Sequence, residues 1–156
     1  VIPEVGGDTS FANTAEAYNR LDPQIKDQVD SLYAIHDFSK TFGRNMSDEE
    51  RKSKQEKYPP ARHPVIRTHP ETGEKGIYTN QPFVSHIEGI SEEESRRLLN
   101  CLQQAILDPS VQCRIKWAVN TIVMWDNRIV QHQASNDFYP QTRPVERVTI
   151  IGTKPV

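Results

Sequence analysis

The run WDNRIVQHQASNDFYPQTRPVER, residues 125–147, carries one histidine, His132, with Arg143 and Arg147 following it near the C-terminus. A neutral imidazole is the commonest protein ligand for a metal ion. A guanidinium is always charged and forms paired hydrogen bonds to carboxylate or sulfonate oxygens. Together these groups would suit a site that holds a metal and more than one anion. Arg143 and Arg147 lie four residues apart, so both would face the same side of a strand. From spacing alone a pair of surface arginines fits equally well.

Two further histidines have the spacing of ligands. A non-haem iron(II) centre uses two histidines and one carboxylate, and alternate residues of a strand point the same way. His69-Pro70-Glu71 and His86-Ile87-Glu88 both have that pattern. The first falls in the Pro/Gly turn of RTHPETGEK, where surface polar residues are expected, and the second in a loop ahead of a helix cap. Both are read as ordinary turn residues. His36, in AIHDFSKTF, is expected to be a hydrogen-bonded structural histidine or part of a pocket wall.

The elements that must position these groups follow from pattern. GGDTSF, residues 6–11, reads as a strand leaving a tight turn. Asn13 then caps a helix, with Glu16 three residues on. DPQIKDQVDSLYAIH carries an Asp22 cap and Pro23 at the first helical position, and Ile25, Val29, Leu32 and Tyr33 are spaced for one helical face. Residues 43–62 are almost wholly polar and read as a mobile lid or loop insertion with a short helix capped at Ser47. HPVIRTHPETGEKGIYTN reads as a hairpin. Ser91 and Glu94 form a capping box ahead of a helix with an apolar stripe at Leu98, Leu99, Leu102, Ala105 and Ile106. In VQCRIKW, alternation places Val111, Cys113, Ile115 and Trp117 on one face. TIVMWDN is continuously apolar, which predicts a strand buried on both faces, and VERVTIIG closes the chain as another strand. The sum is mainly β with flanking helices, a sandwich or barrel.

Composition sets outer bounds. At 156 residues the chain is one domain in size, and 35% hydrophobic with 26% charged residues suits a globular protein. A net charge of −2 creates no field for nucleic acid or an anionic membrane. No apolar run approaches the roughly 18–20 residues that span a bilayer. Cys101 and Cys113 supply neither a C-x-x-C pair nor a disulfide framework, so free thiols in a cytoplasmic setting are expected. The opening VIPEVGGDTS has neither an initiator Met nor a signal-peptide pattern, which suggests a piece of a longer protein.

HPVIRTHPETGEKGIYTNQPF, WDNRIVQH and YPQTRPVERVTIIG, with GGDTSF and HDFSKTF ahead of them in order, resemble the taurine dioxygenase (TauD/TfdA) family of iron(II)- and 2-oxoglutarate-dependent oxygenases. The resemblance covers the chain except the polar stretch 43–60. It implies one incomplete domain over residues 1–156 with a double-stranded β-helix (jelly-roll) fold. It also implies roles: His132 as the third iron ligand, Arg143 and Thr9 on the far carboxylate of 2-oxoglutarate, and Arg147 on an acidic group of the substrate. Thr41, Phe42 and Phe83 would line the substrate pocket. The family's H-x-D motif, which supplies the other two ligands, would precede GGDT and is not in this chain.

The activity implied is oxidation of a C–H bond of a small anionic substrate (a sulfonate, sulfate ester, carboxylate or amino acid) with Fe(II), 2-oxoglutarate and O₂, yielding succinate and CO₂. No nucleic-acid or membrane partner is expected, and the resemblance favours a homo-oligomer, dimer or tetramer. Two alternatives are a jelly-roll anion-binding module without metal chemistry and a halogenase-type relative that lacks the metal carboxylate.

Overall fold

A computed structural model describes residues 2–43 and 46–156. Gly6 and Gly7 adopt φ of 77° and 73°, a region that side chains with a Cβ disfavour, and they turn the chain into β1 (Thr9–Asn13). Asn13 ends that strand and caps α1 (Thr14–Asn19), its side chain accepting from the N–H groups of Ala15 and Glu16. Asp22 caps α2 (Pro23–Val29). This helix is shorter than the periodicity predicts: Tyr33–His36 form strand β2 instead. Strands on both sides claim them, β3 (Ala61–Pro64) and β6 (Val84–Ile87), and paired backbone outweighs a helical stripe that ends at a sheet.

The polar stretch holds α3 (Ser39–Phe42) and α4 (Asp48–Lys57). Ser47 and Glu50 make a reciprocal capping box for α4, and none of its residues is buried. Arg44 and Asn45, inside the expected lid, lie outside the described residues. A hairpin follows, β4 (Ile66–Thr68) with β5 (Lys75–Ile77). The helix expected after Ser91 is α5 (Glu92–Leu107), whose Leu98, Leu102 and Ile106 are buried. The chain then runs through β7 (Gln112–Ile115) and β8 (Val130–Ala134).

The strands form two three-stranded sheets, ordered β7-β1-β8 and β3-β2-β6, and the separate β4-β5 hairpin. A core of Val29, Ala34, Val65, Ile77, Leu98 and Leu102 joins them. Burying a side chain such as Leu102 contributes about 1.5–3 kcal/mol.

Two strand expectations do not hold. TIVMWDN forms no strand, and Ile122 and Met124 are 91% and 89% exposed. VERVTIIG is likewise irregular, with Val148 and Ile151 exposed. Among the described residues no strand pairs with either run, and an extended run buries both faces only inside a sheet. Nor do Val111, Cys113, Ile115 and Trp117 share a buried face. The strand is four residues long, Val111 and Trp117 flank it, and Cys113 is exposed.

The connection into β8 is tied down from two directions. Thr14 donates its backbone N–H and its hydroxyl to the Ile129 carbonyl, at 2.9 and 2.8 Å. Arg128 reaches Asp126 Oδ2 at 2.7 Å and Glu71 Oε1 at 2.6 Å. His69 lies 3.1 Å from the same Asp126 oxygen through Nε2, and its Nδ1 accepts from the Glu71 and Thr72 N–H groups. Because Nδ1 is the acceptor, Nε2 carries the proton and donates. The Arg128 guanidinium first, then its backbone N–H and the His69 imidazole, hold the Asp126 carboxyl well below the usual carboxylate range despite partial desolvation. His69 is therefore not the surface turn residue that its context predicts: it is 5% exposed and ties the hairpin to the 126–130 loop. His86, expected in a loop, lies on β6 and is exposed.

His36 is half-buried on β2, packed edge-on against His63 at 4.9 Å. It is not the hydrogen-bonded histidine expected, since its buried Nε2 has no partner among the described residues. Burial, and then the charge of His63, pull its pKa down to about 4.

Two outcomes are expected. His69→Ala leaves two turn N–H groups and the Asp126 carboxylate short of a partner and lowers the unfolding free energy by about 1–3 kcal/mol, while His86→Ala stays within about 0.5 kcal/mol of wild type. Urea unfolding of both variants checks this, and equal stabilities would refute the tie. The second concerns acid. On lowering the pH from 6.5 the unfolded chain takes up a proton at this histidine before the folded one does, until the folded pKa near 4 is reached. Its contribution to stability is thus complete above that window and declines through it. His36→Asn should flatten this limb, seen as a smaller loss of unfolding free energy between about pH 7 and about pH 4.5 than in wild type.

Candidate functional site

Antiparallel pairing of β1 with β8 puts Phe11 directly opposite His132, and Thr9 opposite Ala134. Directly opposed side chains share a face, so the strand register itself brings an aromatic ring to the histidine. Trp125, from the loop ahead of β8, completes a triangle of rings: Phe11 to Trp125 at 5.1 Å, Phe11 to His132 at 6.0 Å and Trp125 to His132 at 4.8 Å. The Trp125 indole N–H donates to Asn127 Oδ1 at 2.7 Å, which orients that ring. His132 stands on an edge strand and is exposed, yet desolvation by the rings and then the positive charge of Arg147 lower its pKa. A neutral imidazole with a free lone pair is the form that binds metal.

The site holds one such group. Among the described residues no three His, Cys, Asp or Glu side chains come together to hold a metal ion. His69 is committed to Asp126, and His86 belongs to the other three-stranded sheet. Both were read from sequence context as ordinary turn residues; the structure instead buries His69 against Asp126 and places His86 on β6.

Donors without acceptors collect at the other end of β1. Thr9 is 4% exposed, and its Oγ1 accepts the Trp117 indole N–H at 3.0 Å. Arg143 crosses the turn ahead of β1: a Cβ at Gly7 would stand 2.8 Å from the Arg143 Cδ, so only a glycine lets it lie there. Its guanidinium carbon lies 5.6 Å from the Phe138 ring centroid, and its Nε is buried with no partner among the described residues. Asp8, next to Gly7, and Asp137, next to Phe138, both face Arg114, at 2.8 and 3.7 Å. A buried N–H with no acceptor is costly, and such a group in a pocket marks a place for a ligand's oxygen. Arg147 is not on a common strand face with Arg143. Residues 141–150 are irregular; Arg143 is half-buried and Arg147 exposed.

Thr41, Phe42 and Phe83 do come together. Phe42 stacks on Phe38 at 4.6 Å and meets Phe83 at 6.0 Å, while Phe38 lies 5.7 Å from Tyr58 at the end of α4. The Thr41 hydroxyl donates to the Pro82 carbonyl, which fastens α3 to the turn carrying Phe83. Thr41 therefore acts here as a brace, its proton already used. Phe42 is 50% exposed, so the cluster presents an apolar face.

Several members of these clusters were not among the residues that sequence reasoning put forward. Phe11 follows Thr9 at the period of two that places both on one strand face, a signal that was available. Phe38 precedes Phe42 by four, one helical turn. Trp117 and Trp125 lie outside regular elements, and nothing local in the sequence points to their partners.

Residues 1–149 match the family model described as taurine catabolism dioxygenase TauD, TfdA family. The chain is 35% identical over 159 residues to an alkylsulfatase of Acinetobacter baylyi, a match that covers 97% of this chain and 50% of that protein. It is 34% identical over 163 residues to an α-ketoglutarate-dependent sulfate ester dioxygenase of Pseudomonas putida, covering 100% and 54%. The chain thus spans about half the length of these curated relatives. Among solved structures, AAD-2 in complex with Mn(II) and N-oxalylglycine superposes with a TM-score of 0.88 at 30% identity, covering 99% of this chain and 61% of that one. The chain belongs to the TauD/TfdA family of dioxygenases, and its strands and flanking helices are those of the family's jelly-roll fold.

Proposed function

We propose that the protein acts as an Fe(II)- and 2-oxoglutarate-dependent oxygenase on a small anionic substrate, a sulfonate, sulfate ester or carboxylate. One observation carries this reading: a neutral imidazole at His132 and an uncommitted guanidinium at Arg143 flank the same central strand. A metal-chelating keto acid with a second carboxylate needs both. His132 would hold the iron with two further ligands that the described residues do not provide, and the bound iron would supply the activation of O₂.

The chain's own groups account for the rest. Arg143 and Thr9 would neutralise the far carboxylate of 2-oxoglutarate in a partly desolvated corner, where a charge-assisted contact counts for most. Arg147, exposed beside His132, would take the acidic group of the substrate. Phe42 and Phe83 would hold its apolar body, with Thr41 bracing them. Residues 43–62 would cover that cluster, since α4 is linked to α3 through Gln55 and Ser39 at 3.4 Å and through the Tyr58–Phe38 contact. The two free cysteines suit a cytoplasmic setting, and a homo-oligomer is part of the same proposal. A second reading, an anion-binding jelly-roll without metal chemistry, would rest on Arg143 and Thr9 alone.

The full-length protein separates the two. His132→Ala should abolish iron-dependent decarboxylation of 2-oxoglutarate, because loss of one of three protein ligands weakens the metal and its geometry; turnover close to wild type would show that this histidine is not a ligand. The arginines should divide their work. Arg143→Ala should raise the apparent KM for 2-oxoglutarate about ten- to a hundredfold. Arg147→Ala should leave 2-oxoglutarate affinity intact and remove the acceleration of O₂ uptake by an anionic substrate. Affinity and O₂ uptake measured side by side decide this, and a large affinity loss in the Arg147 variant would sink the division.

A further inference from the structure

The hydrogen bond between Trp117 and Thr9 has no part in the function proposed above. Trp117 stands two residues past Ile115, the β7 partner of Thr9, so the register that pairs these strands delivers the indole to the hydroxyl. Trp117 and Pro144, the neighbour of Arg143, both line a cleft of about 300 Å³.

An indole nitrogen only donates, whereas a hydroxyl has one proton and two lone pairs. The Thr9 lone pair that receives the Trp117 N–H cannot point where the Thr9 proton points. The proton is therefore turned away from Trp117, and among the described residues the Thr9 hydroxyl donates to no acceptor. The buried Nε–H of Arg143 is in the same condition. Both protons lack an acceptor among the described residues, and Arg143 crosses the turn two residues ahead of Thr9, so an oxyanion is the group that would take both.

We propose that Trp117 is a positioning residue: it holds the Thr9 hydroxyl as a donor, with its proton presented to the far carboxylate of a keto-dicarboxylic acid. This rests on the reading that Thr9 bonds that carboxylate. Removing the indole N–H frees the hydroxyl to rotate, so part of its bond to the ligand is spent on restoring the orientation.

The test is a double-mutant cycle in the full-length, metal-loaded protein, with N-oxalylglycine as an unreactive probe and its affinity measured by calorimetry. Trp117→Phe keeps an aromatic ring and removes the donor, and should weaken binding about three- to tenfold, with kcat at saturating 2-oxoglutarate unchanged. In a Thr9→Val background the same substitution should cost nothing further, because the group it acts through is gone. Equal losses in both backgrounds would show that Trp117 contributes only packing and overturn the proposal, as would wild-type affinity in the Trp117 variant. If Thr9→Val alone binds N-oxalylglycine as wild type does, the fault lies in the assignment of Thr9, and the role of Trp117 falls with it.

Discussion

The Asp126 carboxylate is the point at which two distant parts of the chain meet. It accepts from Arg128 within its own loop and from His69 on the β4–β5 hairpin, and Arg128 reaches on to Glu71. Five residues separate a half-buried Asp126 from His132 on the edge strand, and the intervening carbonyl of Ile129 is held twice by Thr14. An edge strand has one partner and is free to twist or slip on its open side. The clamp removes that freedom at the strand's entry, and the register with β1 removes it along its length. The position of the histidine is thus set by an ion-paired network that contains neither the histidine nor its immediate neighbours.

Around that frame, positive and neutral donors are kept apart from the carboxylates that would quench them. Asp126 serves Arg128, while Asp8 and Asp137 serve Arg114. Among the described residues the Arg143 Nε–H and the Thr9 hydroxyl proton have no acceptor, and desolvation and then the charge of Arg147 lower the His132 pKa. A folded protein rarely leaves buried donors unmatched unless a ligand completes them. The hydrophobic rings do the complementary work, lowering the local dielectric so that each remaining polar contact counts for more.

Much of the framework was legible along the chain. The caps at Asn13, Asp22, Ser47 and Ser91, the hairpin and the long amphipathic helix depend on neighbours within about one turn, which any reader of the sequence can see. Errors came where a partner distant in sequence decides. Tyr33–His36 fit a helical stripe until β3 and β6 pair with them. TIVMWDN read as a buried strand and VERVTIIG as a closing one, but apolar character alone does not form a ladder when no described strand lies beside them.

The same division runs through the candidate site. The sequence by itself determined the family and the residue types that could bind metal and anions, because ordered motifs and side-chain chemistry survive without coordinates. Only the tertiary structure decided that His69 is buried and tied to Asp126, that Arg143 lies across Gly7 while Arg147 is exposed, and that Trp117 meets Thr9. Each of these is a contact between residues dozens of positions apart, the nearest pair 57 and the furthest 136 if Gly7 and Arg143 are counted. Side-chain identity fixes what a group can donate or accept, but only chain folding determines which donors find an acceptor and which are left waiting for one.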